Sequence, residues 1–124
     1  MSDLRPRGEG LTLGGEERHL LFSLNVVDEL QDHFDCSLEE VIERLTDKRE
    51  AAKTLRYVVM TLLNDEADRT KDADLKHYTE RETGWLISNE NLVEVTVAVL
   101  KAYGISLPEP DEFASPNVMS GQTG

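Results

Sequence analysis

The side chains of this 124-residue chain that reactive chemistry would use are three histidines, one cysteine, scattered serines and several clustered carboxylates. His33 and Cys36 stand three apart and can both reach one metal ion. Structural zinc needs four ligands, however, and His19 and His77 supply no second pair. The plainer reading places His33 at the edge of an apolar helical face and Cys36 in a small buried position. As a nucleophile Cys36 lacks a base and a cationic setting, because its sequence neighbours are Asp35, Glu39 and Glu40. Asp65-Glu66-Ala67-Asp68 spells a helicase motif, but no phosphate-cradling loop of glycine, four residues, glycine, lysine and serine or threonine accompanies it. The carboxylates of residues 65–74 suggest calcium. An EF-hand loop needs a central glycine and a terminal glutamate, and no glycine lies between Asn64 and Glu82. That stretch is expected to be a solvated loop or frayed helix end that binds no metal specifically. None of Ser23, Ser37, Ser88, Ser106, Ser115 and Ser120 sits in a nucleophile elbow. No catalytic residue, metal site or cofactor site is assigned, and the chain is expected not to be an enzyme.

Composition narrows the function further. Twenty-five acidic against thirteen basic residues give a formal charge of −12. Such a balance opposes binding to nucleic-acid backbones, which depends on cationic side chains displacing counterions. It opposes anionic membrane surfaces for the same reason. A single cysteine cannot close an internal disulfide, so a reduced, cytoplasmic setting is the expectation. Met1-Ser2-Asp3-Leu4-Arg5-Pro6-Arg7-Gly8 lacks the apolar centre of a signal peptide. The longest nearly apolar run, Leu92 to Leu100, is interrupted by Glu94 and Thr96 and is far short of a bilayer span.

The pattern of residues predicts a mainly α (α+β) fold: a small N-terminal β-hairpin packed on a bundle of about five helices. Residues 1–8 read as a flexible start, 9–105 as a single helical domain and 106–124 as a disordered tail. Gly10-Leu11-Thr12-Leu13 alternates, Gly14-Gly15 turns, and Arg18 to Phe22 resumes, with Glu16 and Glu17 expected in the loop. Ser23 caps a helix from Leu24 to Phe34 whose inner side is Leu24, Val26, Val27, Leu30 and Phe34. Ser37 with Glu40 forms a capping box for a short helix burying Leu38, Val41, Ile42 and Leu45, with a Cys36–Val41 staple. Asp47 with Glu50 opens a long helix over about residues 48–66, striped by Ala51, Ala52, Leu55, Val58, Val59, Leu62 and Leu63. Thr79 with Glu82 caps a further turn of helix reaching Trp85, Leu86 and Ile87. A last helix starts at Ser88 or Asn89 and ends at Tyr103, with Gly104 as a left-handed cap. Val93, Val95, Val97 and Val99 alternate as in a strand, but Leu92, Val95, Thr96, Val99, Leu100 and Tyr103 fit helical spacing, and the run is long for a strand.

Two features exceed what a private core needs. Tyr57 and Met60 project among Lys53, Arg56 and Asn64, away from the aliphatic stripe of the long helix. With Val93 and Val97, the apolar positions of the last helix sweep about 220° at 100° per residue. Either this helix runs through the centre of the bundle, or part of its face receives a partner's apolar helix. Tyr57, Met60, Val93 and Val97 are the candidate partner-binding residues on the second reading.

The stretch Leu11-Thr12-Leu13-Gly14-Gly15-Glu16-Glu17-Arg18-His19-Leu20-Leu21-Phe22-Ser23-Leu24-Asn25-Val26-Val27-Asp28-Glu29-Leu30 resembles the opening of tail assembly chaperones of long-tailed bacteriophages and prophages. Cys36-Ser37-Leu38-Glu39-Glu40-Val41 matches the "Ser-Leu-x-Glu" that follows their first helix. The long helix from Arg49 to Leu63, an acidic linker and a terminal apolar helix agree in layout, so the resemblance extends over about residues 10–103. The last helix departs from the family in its richness in valine. The resemblance implies a non-enzymatic, acidic helical protein of the bacterial host cytoplasm that coats the tape-measure protein during tail assembly and is absent from the mature virion. It implies the tape-measure protein as partner, with the tail tube subunit and a second copy of the chain as further candidates. Many members also have a longer frameshifted product. The alternative from a different class is an acidic regulatory or adaptor protein that binds a basic partner through its charge, with affinity falling steeply in salt.

Overall fold

The computed structural model describes residues 8–106, apart from the side chains of residues 105 and 106. The expectations for the chain before and after that range lie outside the described residues. The fold is mainly α, with an antiparallel N-terminal hairpin of β1 (Glu9–Leu13) and β2 (Glu16–Leu20). The helices are α1 (Leu24–Phe34), α2 (Leu38–Arg44), α3 (Ala51–Thr70), α4 (Glu80–Leu86) and α5 (Leu92–Ser106).

The hairpin turn is tighter than expected. Leu13 pairs with Glu16, so only Gly14 and Gly15 form the loop, and Glu16 and Glu17 belong to β2. Both glycines have positive φ, +58° and +81°, the backbone that lets a two-residue turn match strand twist. Alternation then sends Leu11, Leu13, Arg18 and Leu20 inward and leaves Thr12 and Glu17 outside. The hairpin lies across α3 and α5, and its apolar face closes a core shared with Val26, Leu30, Val58, Leu62, Val95 and Val99.

Local hydrogen bonds set most helix starts as the spacing predicts. Ser23 Oγ accepts from the Val26 amide, and reciprocal capping boxes form at Ser37/Glu40 and Thr79/Glu82. Asp35 in the left-handed region ends α1. Asp47 Oδ1 accepts from the Arg49 and Glu50 amides, but this holds a turn, and α3 proper starts only at Ala51. Leu24 and Ala52, expected inside, are exposed, because each sits at the first turn of its helix where no neighbour covers it.

The largest correction concerns the acidic stretch. Residues 65–70 are the last turns of α3, and only the chain after Thr70 loops toward α4. Asp65 accepts from Ser23 Oγ at 3.1 Å and pairs with Arg69, and Asp68 reaches His77 at 2.7 Å. Glu66 is buried: it accepts Arg18 Nε at 2.7 Å and the His19 amide at 3.1 Å. Arg69 meanwhile donates to the His19 carbonyl at 3.4 Å. The last turns of α3 therefore cover the outer edge of β2, which would otherwise present unpaired backbone groups.

Candidate partner-binding surface

Helix α5 is apolar on two opposite sides. Val95, Ala98, Val99 and Ala102 are buried against the hairpin and the core. On the opposite side, Val93 is 73 % exposed and Val97 is 42 % exposed, with Leu100 also exposed, whereas Leu92 is exposed at the first turn on the edge next to Val99. At about 100° per residue, Val93, Val97, Leu100 and Gly104 fall within an arc of roughly 60°. Helix α5 therefore borders the core and does not run through it. The small side chains of Ala98 and Ala102 let α5 approach β1 closely, and that rotation leaves Leu100 on the outward side.

Gly104 is not a cap. It lies inside α5 without positive φ, and a Cβ placed there would meet no described atom within 4 Å. Glycine within a helix costs about 1 kcal/mol relative to alanine, so nothing in the described fold explains its presence. Along one flank of the outward stripe, Glu94, Lys101 and Val97 line a cleft of about 330 Å³ against Glu9, Gly10 and Leu11 of β1.

Tyr57 and Met60 lie elsewhere. Tyr57 is half-buried where α3 meets α1, stacked on His33 at 3.6 Å and edge-on to Phe34. Burial raises its phenol pKa above the usual value, with Glu29, Glu80 and Asp32 adding to the shift. Met60 is half-buried on the same helix. Tyr57 thus packs against α1, whereas Val93 and Val97 stand exposed on α5, so the four candidate residues do not form one patch. Exposed Trp85, covered on one face by Arg81 at 5.7 Å, was not among them. Its exposure has no signature in a seven-residue helix where any position can face out.

A second concavity of about 410 Å³ lies between α3, α4 and the start of α5, lined by Arg49, Lys53 and Arg56 over Leu55, Ile87 and Leu92. Arg56 pairs with Glu80 at 3.1 Å and Lys53 with Glu50 at 3.4 Å, which neutralises much of its charge. His33 and Cys36 belong to no group of three metal-ligating side chains among the described residues. Among those residues, no helix is long and apolar enough to cross a membrane. Compared with known proteins, the chain matches no family model, no curated protein and no solved structure.

Proposed function

We propose that this chain acts by binding and not by catalysis, as a chaperone that covers an apolar helical segment of a partner. The observation that carries the reading is the outward face of α5, where Val93, Val97 and Leu100 stand exposed in helical register. An exposed stripe of this spacing is what a helix needs to receive another apolar helix. The charge of −12 suits the task, because it keeps an otherwise aggregation-prone complex dispersed. The resemblance of residues 11–41 to phage tail assembly chaperones makes a tape-measure protein the partner to test first, in the cytoplasm of a bacterial host, with the tail tube subunit second.

The test is co-expression with a tape-measure protein, followed by co-purification of wild type and of Val93→Asp. A variant at so exposed a position should melt within a few degrees of wild type, since surface changes are worth about 0.5 kcal/mol or less. It should nevertheless lose the partner. Retention of the partner by Val93→Asp, or no complex with wild type, overturns the proposal. Binding that survives Val93→Asp and collapses in moderate salt would instead identify the acidic adaptor.

A further inference from the structure

The outward stripe of α5 has a coiled-coil spacing. From Val93 to Val97, Leu100 and Gly104 the steps are four, three and four residues, so these are the seam positions of a left-handed helix pair. Glu94 and Lys101 then occupy equivalent positions on one flank, one heptad apart. Neither forms an ion pair with a described residue. The other flank carries Thr96 and Tyr103, which bear no charge.

This arrangement distinguishes the ways in which two copies of α5 can meet. In a parallel pair, the flank bearing Glu94 and Lys101 faces the partner's uncharged flank, and no charges are matched. In an antiparallel pair, a twofold axis normal to the plane of the two helices keeps each flank on its own side. Centred near Ala98, that axis brings Glu94 of one copy opposite Lys101 of the second, and the same pair recurs by symmetry. The seam closes in the same register. Val97 meets the second copy's Leu100, and Val93 meets its Gly104, where the missing side chain leaves room for close approach. Both the charge pattern and the unexplained helical glycine are accounted for at once.

Resting on the reading of this face as the binding surface, we infer that α5 self-associates as an antiparallel pair about Ala98, with Val93, Val97, Leu100 and Gly104 in the seam and reciprocal Glu94–Lys101 ion pairs beside it. From Val93 to Gly104 the seam is only about 17 Å long. Two such helices bury less than the roughly 1,200 Å² of a standard stable interface, so the pair exchanges. That property fits a chaperone. A second copy shields the apolar stripe until a partner helix displaces it.

The experiment is sedimentation equilibrium on the full chain, comparing wild type, Glu94→Lys, Lys101→Glu and the double swap, with a melting curve for each as a check on the fold. Wild type is expected to show a concentration-dependent monomer–dimer equilibrium. Each single swap places like charges opposite each other twice and should raise the dissociation constant about tenfold or more. The double swap restores the opposite-charge pairs and should return it to within about threefold of wild type. A wild type that stays monomeric at high concentration, or a double swap no better than either single one, overturns the inference. Loss of tape-measure capture by Val93→Asp alongside a monomeric wild type would sink the dimer alone and leave the proposed function standing. A dimer that obeys the swaps beside a Val93→Asp variant that still captures the partner would do the reverse.

Discussion

Replacing Glu66 by Ala is the most direct way to test how the hairpin is held. The Arg18 and Glu66 side chains are 1 % and 5 % exposed, and the guanidinium Nε donates to the carboxylate at 2.7 Å. The same carboxylate accepts from the His19 amide at 3.1 Å and lies 3.3 Å from His19 Nδ1. Truncation leaves Arg18 with the Leu63 carbonyl at 3.0 Å and the half-exposed Glu16 at 3.8 Å. An arginine buried without its carboxylate costs about 3–5 kcal/mol, a large part of the roughly 5–15 kcal/mol that holds a domain of this size. Urea denaturation followed by far-ultraviolet circular dichroism measures the loss. The paired variant Arg18→Met with Glu66→Leu removes both charges and should recover at least about 2 kcal/mol of it, since no buried charge is then left to be desolvated. A loss below about 1 kcal/mol for Glu66→Ala, or a double variant as damaged as the single one, would refute the account of a buried latch.

Three further outcomes are expected. Leu62→Ala, at a fully buried core position, should lose about 2–5 kcal/mol in the same assay, whereas Leu24→Ala, on an exposed first turn, should lose less than about 1 kcal/mol. Thr54→Val should be neutral or raise stability by about 1 kcal/mol in thermal melts, because the buried Thr54 hydroxyl has no hydrogen-bond partner among the described residues. Burial, then Glu29, Glu80 and Asp32, raises the Tyr57 pKa above 10.0, so its neutral ring contributes fully below that pH and the contribution is lost as pH rises through the folded-state value. A tyrosinate absorbance titration should show a component above pH 10.0 that Tyr57→Phe removes.

What was legible in the sequence is what depends on neighbours a few residues away. Capping at Ser23, Ser37 and Thr79 needs only an oxygen and an amide within one helical turn, so the spacing alone implies it. The buried stripes of α1 and α3 follow from helical periodicity, and a turn at Gly14-Gly15 follows from the backbone freedom of glycine, but its tightness, with Glu16 and Glu17 in β2, does not. Partners far along the chain were not legible. Glu66 reads as one more solvated carboxylate until the hairpin places Arg18, 48 residues away, against it, and a charge so buried is tolerable only with that partner in place. The orientation of α5 was hidden for a related reason. Its apolar positions sweep about 220°, so periodicity cannot select the inner face, and the close approach permitted by Ala98 and Ala102 against β1 selects it instead. Residues in local contact carry their own geometry in the sequence. The burial of a charge, and the choice between two apolar faces, depend on packing against distant segments, and only the tertiary structure decided them.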